Sequence, residues 1–145
     1  MKKMMLTLAI AFSSIAAFAG EETVSKKVLN AFKNEFTTAK DVEWIAGTNY
    51  YRAAFVYNEK HVFAYYSTEG ELLGMTRYIS SVDLPLNLQL GLKKIGNNYW
   101  ITDLFEVAKN ESTSYYITIE NADSKLVLVS TNGSNWEEFK SVKKI

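Results

Sequence analysis

The stretch from Tyr50 to Tyr66, which has the sequence YYRAAFVYNEKHVFAYY, decides the fold. Aromatic and β-branched residues fill it on both sides of Asn58-Glu59, a dipeptide with the composition of a tight turn. We therefore predict a β-hairpin with a two-residue turn, in which Tyr57 pairs with Lys60. Because side chains alternate along a strand, this pairing also decides which of them share a face.

The two predicted faces of the hairpin differ in their chemistry. One is wholly apolar or aromatic and is expected to pack against helices, whereas the other carries a guanidinium and an imidazole among aromatic rings. Surfaces rich in Tyr and Arg resemble protein-binding patches, although loops or a second subunit would also cover such a face. On it we predict Arg52 directly opposite Tyr65, within reach of a cation–π contact. The first face comprises Tyr51, Ala53, Phe55, Val62, Ala64 and Tyr66, and the second comprises Tyr50, Arg52, Ala54, Val56, His61, Phe63 and Tyr65.

Helices are predicted before and after this hairpin along the chain. Between Thr23 and Phe36 apolar residues recur at four-residue steps, and Thr23 is placed to cap the helix. A second helix is predicted after Pro85, because proline fits the first helical position. Gly91 and Gly96 are expected to shorten or distort it. The apolar stripes are Val24, Val28, Phe32 and Phe36 in the first helix and Leu88, Leu92, Ile95 and Tyr99 in the second.

The remaining sequence has β character, and shifting the chain on itself by 63 residues aligns helix with helix and turn with turn. We therefore predict an α+β fold of two tandem helix-plus-four-strand repeats, at about residues 20–82 and 83–145. They are expected to form one antiparallel sheet of about eight strands with two helices on one face. In the second repeat, the same shift puts core-like residues on the sheet face that should be turned away from the helices. Either a bulge changes the register there, or that face is partly buried. These residues are Tyr115, Ile117, Ile119, Leu126 and Leu128.

Residues 1–19 have the order of a secretory signal peptide. Lys2 and Lys3 precede an uncharged, mostly apolar stretch that ends near Ala17 and is shorter than the roughly 20 residues of a membrane span. Ala17-Phe18-Ala19 matches a signal peptidase site, so we expect cleavage after Ala19; an uncut anchor helix is the alternative. Residues 20–145 are then predicted to be a single domain, periplasmic or secreted, with no membrane anchor.

The composition excludes several classes of function. The chain has 16 basic and 16 acidic side chains, one histidine and no cysteine. Loss of Lys2 and Lys3 with the leader gives a net charge of −2, which does not favour nucleic acid as a partner. Without cysteine, neither disulfides nor the common structural zinc sites can form, so the apolar core must hold the domain together.

No catalytic residue, metal site or cofactor is predicted. His61 lies within a predicted strand, and the chain has no nucleophile-elbow sequence. Glu43 and Glu106 match at the 63-residue shift and could resemble a glycosidase pair, but repeated halves also repeat solvent-facing residues. Glu137-Glu138 near Asn132 lacks the spacing of a calcium loop, so we expect an ordinary polar turn there.

Short hydrophobic motifs follow one another along the chain in a particular order. They are Phe32-x3-Phe36, Val42-x-Trp44, Tyr51-x-Ala53-x-Phe55, Ala64-Tyr65-Tyr66 before Gly70, Arg77-x-Ile79 and Leu84-Pro85. In this order they resemble the PepSY-like proteins, small secreted proteins of Bacteroidetes whose fold is similar to that of the β-lactamase inhibitory protein. The resemblance covers nearly the whole chain after the leader. It implies that fold, a periplasmic or extracellular location and a non-enzymatic module.

These observations together favour a non-catalytic periplasmic or secreted binding module with a protein or peptide partner. Inhibition of an enzyme is the precedent set by the fold's best-known member. The alternatives are a carboxylate-based hydrolase that uses Glu43, Glu106 or neighbouring acids, and a small-molecule carrier with a cavity between helices and sheet. Trp136 lies in a polar stretch and is expected to be the most exposed tryptophan. The predicted partner-binding residues are Arg52, His61, Phe63, Tyr65 and Trp136.

Processing of the leader is the first testable prediction. The order of Lys2-Lys3, the apolar stretch and Ala17-Phe18-Ala19 predicts that the protein recovered from its host begins at Gly20. Intact-mass spectrometry measures this directly. A mass that matches the uncut chain, or a chain that starts within the helix predicted from Thr23 to Phe36, would contradict it.

Overall fold

The computed structural model describes residues 17–145, so the rest of the leader lies outside the described residues. Two helices and antiparallel strands give an α+β fold, as predicted, and neighbouring strands pair in chain order within β1–β4 and within β5–β9. The helices are α1 (Lys26–Glu35) and α2 (Leu86–Ile95). The strands are β1 (Ala17–Ala19), β2 (Lys40–Ala46), β3 (Tyr50–Tyr57), β4 (Lys60–Ser67), β5 (Leu72–Tyr78), β6 (Trp100–Lys109), β7 (Ser112–Glu120), β8 (Ser124–Ser130) and β9 (Glu137–Lys143).

The chain divides into two compact units, residues 1–73 and 74–145, which are described separately. The first contains α1 and the hairpins from β1 to β4. The second contains α2 and the strands that follow it, with the pairing of β5 and β6 beginning at Met75 and Ala108. In the part of the chain that the structure describes, no helix is both long and apolar enough to span a membrane.

Helix α1 begins at Lys26, three residues after Thr23, where the predicted helical segment starts. A turn of 3-10 helix occupies Glu21–Thr23, where the Thr23 hydroxyl donates to the Gly20 carbonyl. The cap is instead Ser25, whose side-chain oxygen accepts from the N–H of Val28 at 3.4 Å. The prediction that Thr23 caps the helix was therefore wrong, because its hydroxyl is used in the preceding turn.

An aromatic core holds α1 against the first-unit sheet. The Phe32 ring lies 5.2 Å from Trp44 and 4.9 Å from Phe55, both edge-on, and 5.4 Å from Phe36 on its own helix. Offset and edge-on geometries of this kind add to the hydrophobic contribution of the buried area. Phe32 therefore joins the helix to both β2 and β3.

The predicted hairpin register is confirmed. Tyr57 pairs with Lys60, and Asn58 and Glu59 both have positive φ, at 50° and 64°, as a type I′ turn requires. The face expected to meet the helix is buried except at half-buried Tyr51. On this face the Tyr66 Oη is buried with no hydrogen-bond partner of normal geometry among the described residues. Burial first, and Glu35 second, raise the pKa of this phenol.

Helix α2 packs on the second-unit sheet through Leu88, which is fully buried. Gly96 ends the helix with a φ of 96°, so Tyr99, which was expected to extend the apolar stripe, lies beyond it. A β-carbon on Gly91 would lie 3.0 Å from the Trp136 ring, so glycine permits the close approach of the indole. The core consists of Leu84, Leu88, Leu104, Ile117, Ile119 and Leu128.

Trp136 is not the exposed tryptophan. Its Nε1 donates to the Leu88 carbonyl at 3.0 Å and its ring packs on the second-unit core. Trp100 is exposed instead, at 53 %. The polar residues around Trp136 suggested exposure, but the bare backbone at Gly91 provides a position where the indole can be covered and hydrogen-bonded.

The offset between the halves is not the predicted 63 residues. The helices begin at Lys26 and Leu86, an offset of 60, while the sheet residues Ala53 and Ala64 correspond to Ile117 and Leu128, an offset of 64. The difference arises in the β6–β7 hairpin: Leu104 pairs with a residue thirteen positions later, whereas Trp44 pairs with one nine positions later. Both observed offsets are even, whereas the predicted offset is odd. The prediction therefore assigned every side chain of the second hairpin to the opposite sheet face, and its core residues to the outer face.

Leu88 supplies a stability prediction for this unit. Leu88→Ala removes a fully buried side chain and should lower the free energy of unfolding by about 2–5 kcal/mol. Leu86 on the same helix is 70 % exposed, so Leu86→Ala should change it by no more than about 0.5 kcal/mol. Urea denaturation of both variants is the measurement. Equal losses in the two would contradict this packing of α2.

Candidate functional site

The outer face of the first unit, defined as the sheet face turned away from α1, carries four of the predicted binding residues. Arg52 lies directly opposite Tyr65, as predicted. Its guanidinium, however, lies over the Phe63 ring, 4.9 Å from the centroid, and the Tyr65 ring packs 5.9 Å from Tyr50. Phe63 pairs with the small Ala54, which leaves room beside its ring for the arginine. The cross-strand pairing is confirmed, and Tyr65 as the cation–π partner was wrong.

These four residues differ in accessibility. His61 is exposed and Arg52 and Phe63 are half-buried, but Tyr65 is only 4 % exposed. Tyr65 therefore belongs to the outer face but is covered by its neighbours. It is not placed to contact a partner, contrary to the expectation for it. Arg52 Nε is buried and has no hydrogen-bond partner among the described residues. A buried polar hydrogen without an acceptor costs free energy, so an acceptor that reached it would be favoured.

The outer face of the second unit, turned away from α2, carries a row of aromatic rings. Phe105 on β6 stacks on Tyr116 of β7 at 5.3 Å, with 7° between the rings. Tyr78 of β5 lies 6.3 Å from Phe105, and Phe139 of β9 lies 5.7 Å from Tyr116, both edge-on. We call Tyr78, Phe105, Tyr116 and Phe139 the aromatic row. Its two ends are exposed, Tyr78 at 58 % and Phe139 at 39 %.

Alternation places this row on the outer face. The pair Phe105–Tyr116 directly neighbours the pair Leu104–Ile117, and the latter is in the core beneath α2. Burial raises the pKa of the Tyr116 phenol, so its hydroxyl stays protonated and can donate a hydrogen bond at neutral pH.

Sequence reasoning missed the aromatic row because the 63-residue shift turned the hairpin over. A local signal could have found it. Asn110-Glu111 repeats the dipeptide Asn58-Glu59 and has the same pair of positive φ values, 48° and 64°. Pairing outward from this turn, starting with Lys109 and Ser112, puts Phe105 opposite Tyr116.

The carboxylates weighed as a catalytic pair have different surroundings. Glu106 is hydrogen-bonded to the guanidinium of Arg77, its cross-strand neighbour on β5. A carboxylate that accepts from a guanidinium is poorly placed to deliver a proton. Glu43 is exposed and lines a groove in the first unit.

The polar segments likewise have structural roles. Asn132 Oδ1 accepts from the N–H groups of Ser134 and Asn135, so a polar turn forms at Asn132, as expected. Glu137 and Glu138 were also expected in that turn, but they lie at the start of strand β9. Among the residues that the structure describes, no group of three or more His, Cys, Asp or Glu side chains is arranged to hold a metal ion.

Each unit has a solvent-open groove beside its helix. The first-unit groove, of about 700 Å³, lies between α1 and β2, with Leu29, Phe32 and Trp44 in its wall. The second-unit groove, of about 570 Å³, lies between α2 and β8 and is bounded by Gly91 and Trp136. Both exceed the roughly 300 Å³ that a small-molecule site needs.

Comparisons with known proteins give the fold. No protein-family model and no curated protein matches the chain. A BLIP-like protein from Bacteroides fragilis NCTC 9343 is 20 % identical with a TM-score of 0.72, over 83 % of this chain and 87 % of that one. A DUF2874 family protein from Bacteroides ovatus ATCC 8483 is 19 % identical with a TM-score of 0.73, over 83 % and 88 %. A candidate periplasmic protein from Bacteroides eggerthii DSM 20697 is 17 % identical with a TM-score of 0.69, again over 83 % and 88 %. The chain thus has the fold of BLIP-like and DUF2874 proteins, and the PepSY-like resemblance stays a prediction.

Truncation of the outer-face residues tests their assigned positions. Tyr65→Ala removes a buried aromatic side chain and should lower the free energy of unfolding by about 3–5 kcal/mol. Phe63→Ala should cost less, because Phe63 is half-buried, and His61→Ala should stay within about 0.5 kcal/mol. Chemical denaturation gives all three values. A Tyr65 variant as stable as the His61 variant would show that Tyr65 is accessible after all.

Proposed function

We propose that this protein is a non-catalytic binding module of the cell envelope that holds a protein or peptide on an outer sheet face. The observation that carries the proposal is the aromatic row. Its four rings continue from β5 to β9 across one face, and its ends, Tyr78 and Phe139, are exposed although both are large and apolar or amphipathic. Exposed contiguous aromatic surface of this kind is typical of interaction sites.

The row has the features of an energetic centre of an interface. Phe105 and Tyr116 are half-buried and stacked, so little side-chain freedom remains to be lost when a partner covers them. Tyrosine also combines apolar contact area with a hydroxyl that can hydrogen-bond at the rim. Residues of this type, held rigidly, account for most of the binding free energy in many interfaces.

The outer face of the first unit supports the same proposal with different chemistry. Arg52 has a buried Nε without a partner, and His61 is exposed on the same face. A carboxylate of a bound chain would pair with the half-buried Arg52 guanidinium in charge-assisted hydrogen bonds. In this proposal Arg52, His61 and Phe63 contact the partner, while Tyr65 and Trp136 act only through packing.

The envelope location rests on the proposed leader at residues 1–19 and on the fold shared with a candidate periplasmic protein. The likeness to a BLIP-like protein makes inhibition of an envelope enzyme one form of the proposed binding. Fold alone does not assign such a role. Against the hydrolase alternative stands Glu106, whose carboxylate is bonded to Arg77.

Affinity capture with matched variants tests the aromatic row. The processed protein is used as bait for the host's envelope fraction, alongside the double variant Tyr78→Ala/Phe139→Ala. Loss of a true hot spot costs about 2 kcal/mol or more, so the dissociation constant of a captured partner should rise about 30-fold or more. Both side chains are exposed, so the melting temperature should change little.

Leu86→Ala is the matched control, because Leu86 is an exposed apolar residue on α2. It should leave the affinity unchanged. Equal capture by the double variant and the unaltered protein would refute a role for the row. An equal loss in the Leu86 variant would indicate non-specific apolar adhesion instead.

A further inference from the structure

We infer that the outward edge of β2 is an acceptor for an extended peptide strand from another protein, which takes the position that Ala17–Ala19 occupy in this chain. Strand β1 is formed by residues of the proposed leader, and it pairs antiparallel with the end of β2. The register sets Ala19 opposite Trp44, Phe18 opposite Ile45 and Ala17 opposite Ala46. The inference rests on the proposed cleavage after Ala19, and it is independent of the aromatic row.

Backbone geometry identifies the groups that cleavage would leave unpaired. The Gly47 N–H donates to the Tyr50 carbonyl at 2.9 Å, so these two residues form a hydrogen-bonded pair of the β2–β3 ladder. Such pairs alternate in antiparallel sheets, which makes Ile45–Arg52 the next one. Trp44 and Ala46 therefore point their N–H and C=O groups toward β1. An edge that presents such groups invites a further strand.

The groove between α1 and β2 adds side-chain recognition to this edge. Trp44 contacts Phe32 on α1, so a residue opposite Trp44 on an added strand lies on the helix side, next to the groove. The groove wall there includes Leu29, Phe36 and Val42. An apolar side chain opposite Trp44 would therefore be covered, whereas a charged one would lose its hydration.

A single peptide fits this edge better than a second copy of the protein. The usable edge is short, because β2 has an irregular register between Lys40 and Glu43 and ends at Ala46. In a pairing of two β2 strands, the groove-side residue supplied by the copy would be Trp44 or Ala46. Trp44 is already 5 % exposed in its own core, so the copy has no large side chain free to enter the groove. Strand addition supplies main-chain hydrogen bonds for affinity and one pocket for selectivity.

The test uses the ¹⁵N-labelled processed protein from its host, with its start at Gly20 verified by mass. The probe is a synthetic peptide with the sequence of residues 13–19, SSIAAFA, extended by a solubilising lysine tag. Saturable binding should slow amide hydrogen exchange of Trp44 and Ala46 by tenfold or more. The Ile45 amide, which is already bonded to β3, should change much less.

Ala46→Pro removes one outward N–H without removing a donor of the β2–β3 ladder, and should weaken peptide binding at least tenfold. Ala46→Val keeps that donor and should bind like the unaltered protein. Val42→Asp is a second variant at a partly exposed position that leaves the backbone intact, and it should also weaken binding. Melting curves verify that each variant is folded.

Several results would overturn the inference. They are a protein whose mass retains residues 1–19, the absence of protection at Trp44 and Ala46 at millimolar peptide, and a dimer in sedimentation that Ala46→Pro dissociates. The double variant Tyr78→Ala/Phe139→Ala separates the two proposals: it should lose the partner of the aromatic row and still bind this peptide.

Discussion

One helix can cover only one face of a sheet, and the described residues of each compact unit form one α-helix. In the first unit α1 packs on the side of Ala53, Phe55 and Tyr66, and in the second α2 packs on the side of Ile117 and Leu128. The strands therefore have to alternate, with core residues toward the helix and a second set turned away from it. What that second set contains decides what the molecule can bind.

The two units meet this constraint with different side chains. The first places an aromatic residue, Phe32, at the centre of the helix contact, where it touches rings on two strands. The second uses aliphatic residues around Leu88 and closes the side of α2 with Trp136, which needs the bare backbone at Gly91. On the outer faces the first unit has a guanidinium on a ring, and the second has stacked aromatic rings. The same architecture thus gives two surfaces of distinct chemistry.

Register is the quantity through which the fold positions these surfaces. A shift of one residue exchanges the two faces of a strand, so the single-residue error in the repeat offset was enough to hide the aromatic row. The β6–β7 hairpin is longer than its counterpart, yet an even number of added residues keeps Ile117 toward α2 and Tyr116 away from it. In β2 the same alternation divides the backbone N–H and C=O groups. Those of Ile45 are hydrogen-bonded to β3, whereas those of Trp44 and Ala46 point to the outward edge of the strand.

The sequence alone determined the α+β class, the first hairpin and its face, because these depend on local turn geometry and period-two alternation. Asn58-Glu59 defines the pairing of its strands without reference to the rest of the chain. Only the tertiary structure decided that Ser25 caps α1, that Tyr65 is buried, that Arg52 lies over Phe63 and that Trp100 is more exposed than Trp136. Each of these depends on how much room neighbours distant in sequence leave, such as Ala54 beside Phe63 and Gly91 beside Trp136. Periodicity along one chain segment carries no record of that space, since packing is settled between segments.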